Sequence, residues 1–255
     1  MRLETDHITK TFKGTTALKE VSISLEPGIW YLVGPNGSGK STLLGIIMGL
    51  LDADSGRIFV DGKELVGNLD PFLIRVGYLP QFPRFYGNYT VVEFLRYLAL
   101  LRKLEKDSAE EQIKSLLERL NLVEKKQAKI RTLSGGMKRR LGIAGAFLGD
   151  PELVILDEPS AGLDPLERVR FVRLLEEEKK ERIILIATHM ISEIEEQGAS
   201  CLFLKKGSLI LNGSIEALVA EGAMESMKEA YIRLYSEGIA MKEEQGDAGE
   251  ETKNI

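Results

Sequence analysis

The sequence contains a single cysteine, Cys201, in 255 residues. That excludes an intrachain disulfide framework and fits a reducing compartment. No apolar run approaches the roughly 20 residues that a membrane-spanning helix needs. The first residues, MRLETDHITKTFKG, lack the apolar stretch of a secretion signal. We therefore expect a chain that does not itself cross a bilayer and meets any membrane through a partner. An excess of positive charge is also missing: 34 basic residues face 39 acidic ones, for a net charge of -5. Nothing in that balance points to nucleic acid as a partner. The chain is 44% apolar and 29% charged, the composition of a globular protein with a substantial core, and it has no internal repeat.

Short apolar runs mark candidate buried strands at Trp30 to Val33, Val76 to Leu79, Leu153 to Leu156 and Ile183 to Ala187. Three of them alternate with helical patterns, as a parallel α/β sheet requires. Residues 1–26 and 57–61 read instead as short antiparallel strands around the polar turns Lys13-Gly14 and Asp61-Gly62. From Gln81 to Gly149 the pattern is helical. Thr90-Val-Val-Glu93 is a capping box, Ser108 opens a second predicted helix and Ser134 a third, which Gly149 stops. Residues 82–149 thus read as a helical subdomain inserted into an α/β core. Residues 221–255 carry nine acidic and four basic residues, a surplus equal to the net charge of the whole chain. One more helix is expected around Met224, Met227, Tyr231 and Leu234, and a disordered tail beyond Glu237.

The stretch GPNGSGKST, Gly34-Pro35-Asn36-Gly37-Ser38-Gly39-Lys40-Ser41-Thr42, fits the phosphate-loop pattern G-x-x-x-x-G-K-[ST]. A predicted strand precedes it and an apolar helix follows. Glycines let the backbone N–H groups curl around a polyphosphate, and the helix N-terminus adds partial positive charge. Lys40 is expected to reach the β- and γ-phosphates, and the Ser41 hydroxyl to bind Mg²⁺. In LVILDEPS, residues 153–160, two acids emerge from the C-terminal end of a buried strand, where ligands sit in open α/β sheets. Asp157 is expected to hold the metal and Glu158 to polarise the attacking water.

RTLSGGMKRR, residues 131–140, places Ser134 as the N-cap of a helix whose first residues are Gly135 and Gly136. Glycine there costs helix stability unless the bare backbone is used. Free N–H groups at such a start make a second anion site.

With GPNGSGKST, LSGGM and LVILDEPS in this order, the chain resembles the ATP-binding subunit of an ABC transporter over roughly residues 1–215. The resemblance implies a P-loop NTPase (RecA-like) core with an N-terminal antiparallel β subdomain and the helical insertion at 82–149. The cassette then spans residues 1–220, followed by the acidic segment 221–255. It also implies that Gln81 touches Mg²⁺ or the attacking water, and that His189 contacts the γ-phosphate. Asp164 in SAGLDP crosses a dimer interface, and Phe12 stacks under adenine. LSGGM, with Met137 where glutamine is commonest, meets the γ-phosphate held by a second cassette, so two chains pair head to tail around two ATP molecules.

The implied partners are ATP, Mg²⁺, a second cassette and a transmembrane permease. The permease keeps the chain cytoplasmic and peripheral on the inner face of the membrane. In the family, QFPRFYGNY (residues 81–89) adjoins the groove that receives a permease helix, and its aromatic residues suit such a contact. VVEFLRYLALLRKL and SGGMKRRLGIA look closest to bacterial exporter cassettes. The competing reading is an ABC ATPase without transport, in cofactor assembly or translation. Only 93 residues separate Lys40 from Leu133 and no heptad run lies between them, which argues against chromosome-type members. A phosphate-loop kinase has no use for LSGGM.

Overall fold

The computed structural model describes residues 1–189 and 199–214. The chain opens with β1 (Leu3–Phe12) and β2 (Thr15–Leu25), an antiparallel pair joined at Lys13-Gly14. Both turn residues have positive φ, 43° and 85°, the two-residue turn whose twist suits a hairpin. The strands are long, ten and eleven residues, rather than short. Register shifts and the positive φ of His7 and Glu20 bend them without ending them. After β3 (Gly28–Val33) and α1 (Lys40–Ile47), β4 (Ser55–Val60) pairs with β1 and turns through Asp61-Gly62 into β5 (Lys63–Glu64). The first sheet therefore runs β2-β1-β4-β5.

A four-residue helix, α2 (Asp70–Leu73), leads to β6 (Val76–Leu79). Helix α3 (Val91–Leu101) starts at the capping box, with Thr90 and Glu93 each bonding the other's backbone N–H. Helix α4 (Lys106–Arg119) starts before Ser108. Glu105 is its N-cap and accepts from the Asp107 N–H at 2.9 Å, so a carboxylate does the work expected of the serine. Next come α5 (Gly135–Phe147), β7 (Leu153–Asp157), α6 (Pro165–Glu178) and β8 (Ile183–Thr188). The antiparallel pair β9 (Ser200–Lys205) and β10 (Ser208–Ser214) closes the second sheet. Its order is β10-β9-β3-β8-β7-β6, parallel from β9 through β6.

Period-two alternation in the parallel strands separates two apolar cores. Tyr31, Val33, Val154, Leu156, Ile184 and Ile186 face one core, shared with α3, α4, α5 and α6. Leu32, Leu153, Ile155, Ile183 and Leu185 face the other, shared with α1 and the antiparallel sheet. Each buried aliphatic side chain contributes about 1.5–3 kcal/mol, so the central sheet is the stable platform on which the loops at its edge are set. Among the described residues no helix is long and apolar enough to cross a membrane. The expected helix near Met224 and the tail beyond Glu237 lie outside the described residues.

Candidate nucleotide site

β3 delivers its chain end to the phosphate loop, and β7, two strands away across β8, delivers Asp157 and Glu158 beside it. Asn36, Gly37, Ser38, Gly39, Lys40, Ser41, Thr42, Gln81, Asp157 and Glu158 line one cleft of about 240 Å³, together with Ala17 of β2. Gly39, the N-cap of α1, has φ 111° and ψ 0°, a conformation costly for any residue with a Cβ. A Cβ there would also meet the Ala17 carbonyl oxygen at 2.6 Å. The loop is braced from a part of the chain that the sequence reading passed over. Gly207, in the turn between β9 and β10, donates its N–H to the Ser38 carbonyl at 2.9 Å and accepts from the Lys19 N–H at 2.8 Å.

The Lys40 ammonium is buried and donates to the carbonyl oxygens of Gly34 at 2.6 Å and Pro35 at 3.4 Å. Burial lowers its pKa, and the charges of Glu158 and Asp157 oppose that effect. Asp157 is pushed above the usual carboxylate range by burial first and by Glu158 second, while Lys40 and Arg139 pull it back. Glu158 leaves the strand with φ 51°, a left-handed conformation unusual for a glutamate. Its N–H stays bonded to the Ala187 carbonyl of β8 at 2.9 Å, which fixes the turn. His189, just past β8, donates from Nδ1 to Glu158 Oε1 at 2.7 Å. The cleft thus gathers a lysine, a phosphate loop and two acids, one of them braced by a histidine.

These residues fit a Mg²⁺–nucleotide. Ser38 Oγ is buried with no hydrogen-bond partner among the described residues, and a Cβ at Gly37 would meet only open space. Ser41 and Asp157 are hard oxygen donors of the type Mg²⁺ takes.

The other expected site residues lie elsewhere. Ser134, Gly135, Gly136 and Asp164 do not line the cleft. Ser134 caps α5 by accepting from the Met137 N–H at 3.3 Å, and Asp164 caps α6 by accepting from the Glu167 N–H at 3.0 Å. Their two loops touch: a Cβ on Gly136 would stand 2.9 Å from the Gly162 carbonyl oxygen, whereas one on Gly135 would meet nothing. Phe12 ends β1, 42% exposed with Lys10 over its ring, and does not line the cleft either. Of the aromatics after Gln81, Phe85 packs edge-on against Phe94 at 5.3 Å, inside the helical layer. Phe82 is 81% exposed, and at the surface Tyr86 lies tilted against Tyr89 and edge-on to Tyr97.

Known proteins resemble this chain in sequence and in fold. Residues 18–161 match the family described as "ABC transporter". The chain is 37% identical over 217 residues to the uncharacterized ABC transporter ATP-binding protein YxlF of Bacillus subtilis (strain 168), covering 85% of this chain and 72% of that protein. It is 33% identical over 213 residues to the human phospholipid-transporting ATPase ABCA3, where the match covers 82% of this chain but only 12% of that much longer protein. Among solved structures, an ATP-binding subunit of an ABC transporter superposes with a TM-score of 0.84 at 28% identity, covering 92% of this chain and 99% of the other. The cbiO1 structure from Clostridium perfringens, part of the ABC transporter complex cbiONQ, gives a TM-score of 0.76 at 29% identity, covering 95% and 98%. The chain belongs to the ABC transporter family and is an ATPase of its ATP-binding type.

Proposed function

We propose that this chain hydrolyses ATP to drive a separate transmembrane permease, with two cassettes pairing head to tail around two nucleotides. The observation that carries the reading is the convergence of Lys40, Gln81, Asp157 and Glu158 on one cleft while Ser134, Gly135 and Gly136 stay outside it. A site whose second half lies on the same chain but out of reach is completed by another copy or a related cassette.

In this reading the backbone of residues 34–42 and the Lys40 ammonium hold the phosphates. Ser41 and Asp157, with Gln81 beside them, hold Mg²⁺, which neutralises phosphate charge. Glu158 accepts a proton from the attacking water. His189 holds that carboxylate through Nδ1 and contacts the γ-phosphate with its remaining edge. Ser134, Gly135 and Gly136 present N–H groups to the γ-phosphate of the opposite cassette, and Asp164 sets the crossing loop. Phe12 stacks on the adenine.

The cbiO1 structure's membership of a transporter complex supports a permease partner, and exposed Phe82 and Tyr86 offer that partner an aromatic surface. That partner keeps the chain peripheral on the cytoplasmic face of the membrane. Export is the direction we propose, on the likeness of SGGMKRRLGIA and VVEFLRYLALLRKL to exporter cassettes.

Glu158→Gln tests the pairing. The variant binds ATP, hydrolyses it at least about 100-fold more slowly, and accumulates as a closed dimer by light scattering with ATP and Mg²⁺. A variant that stays monomeric both alone and with its co-purified permease complex would overturn the head-to-tail reading.

A further inference from the structure

Arg139 is 7% exposed and makes no ion pair among the described residues. A guanidinium is costly to bury without a carboxylate partner, so its surroundings matter. It sits on α5, five residues after the cap Ser134; a Cβ on Gly77 of β6 would run into the Ala146 backbone of this helix, and three residues after Arg139 one on Gly142 would meet the Leu79 side chain at 2.5 Å. This close approach fixes the helix against the strand. One turn nearer the helix start, Arg139 Nη1 donates to the carbonyl oxygen of Pro80 at 3.1 Å. Pro80 directly follows β6 and directly precedes Gln81, which lines the cleft. Proline has no N–H, so the strand ladder cannot anchor this point by a backbone donor, and its carbonyl is the available handle. Arg139 also acts electrostatically on Asp157 from within the protein, while Lys40 acts on it from the cleft.

We propose that Arg139 is a positioning residue that couples the LSGGM helix to Gln81: by holding the Pro80 carbonyl, it makes the start of α5 and the Gln81 edge of the cleft move as one piece. A contact that a second cassette makes at Ser134 to Gly136 is then transmitted through a single buried side chain to the residue beside the reacting phosphate. Arg139 touches no substrate. It acts through the backbone at residues 80 and 81.

The inference rests on the reading of Gln81 as a residue that supports hydrolysis, and the test separates the two. Arg139→Met should lower kcat about tenfold with KM for ATP within about twofold, the split expected when binding is spared. Hydrogen exchange of the amides at 81–86, measured without nucleotide, should quicken about threefold or more, with α3 unchanged. Arg139→Lys, which keeps a cation able to reach Pro80, should recover at least half of the lost rate. In a Gln81→Ala background, Arg139→Met should cause no further loss, because both changes cut the same link. Additive losses, a lysine variant as slow as the methionine one, or unchanged exchange at 81–86 would each overturn the inference. A Gln81→Ala protein with normal kcat refutes the role of Gln81 instead, and the exchange measurement still decides whether Arg139 holds that segment.

Discussion

The cleft and the exposed start of α5 both offer backbone N–H groups to an anion, yet they are built in opposite ways. The cleft is concave and charged, and its parts are held from behind: Lys40 by loop carbonyls, Glu158 by Ala187 and His189, the loop itself by Gly207. At the α5 start Ser134 and Gly135 are exposed and carry no charge, and among the described residues the side-chain hydrogen bond there is the Ser134 cap. A surface of the first kind binds alone. One of the second kind is worth little in water and gains strength when another surface excludes the solvent. On the proposed reading, the difference between the two regions is that between a site that selects its ligand and one that reports its arrival.

The largest effect should come from Lys40→Ala, which removes the one cation inside the phosphate loop. Affinity for fluorescent ATP should fall by about 100-fold or more, the scale of a lost charge-assisted contact in a partly buried site. Unchanged affinity would mean that the cleft is not where nucleotide sits, and the contrast with α5 would collapse. Asp157→Asn should abolish Mg²⁺-dependent hydrolysis yet raise the melting temperature of the nucleotide-free protein by a few degrees, because a desolvated charge is gone.

The sign with pH follows from the direction of the Asp157 shift. Its folded pKa lies above the unfolded value, so the folded state binds the proton more tightly. That contribution is full at pH below the unfolded pKa and is lost as pH rises through the folded one. Melting in chelator across the carboxylate range should show this decline in the wild type and not in the asparagine variant.

A sharper cut separates two neighbouring glycines. Gly136→Ala forces a Cβ to 2.9 Å from the Gly162 carbonyl and should cost about 1–3 kcal/mol in urea unfolding, the range for overpacking. Gly135→Ala meets nothing within its own chain and should leave stability equal or up to about 1 kcal/mol higher. If a partner's phosphate approaches this point, Gly135→Ala nevertheless hydrolyses ATP about tenfold more slowly. A wild-type rate in that stable variant would remove the reason to invoke a second cassette at α5. The smallest effect belongs to Ser134→Ala, about 1 kcal/mol for a lost cap, with no change in ATP affinity of the monomer. A change in that affinity would show the α5 start reaching its own cleft.

Much of this contrast was legible in the residues, and unevenly so. The phosphate loop, the acids at the end of β7 and the capping box at Thr90 are local patterns, each fixed by neighbours a few positions away. The two-residue turns at Lys13 and Asp61 were equally plain, since only residues tolerating positive φ suit them. What escaped depends on distance along the chain. Gly207 gives no sign in sequence that it supports Ser38, because the turn it occupies would look the same anywhere on a surface. Nothing local sets Arg139 apart from its neighbours in KRR, because its partner Pro80 lies 59 positions away. Helix α4 began early because a glutamate capped it, a role that weak side-chain preferences do not single out. The expectation for Phe12 came from resemblance alone, and Phe12 does not line the cleft.

The pairing of β3 carries a last consequence, for how the protein is made. Leu32 lies between Ala187 on one side and Leu202 on the other. The strand that feeds the phosphate loop is therefore synthesised early, while both strands that flank it emerge late. During translation β3 waits with two open edges, and the hydrogen bond that braces the phosphate loop forms only after Gly207 has left the ribosome. Such long-range closure slows folding and exposes apolar strands in the interim. The phosphate loop of a nascent chain lacks that support until nearly all of the described residues are in place.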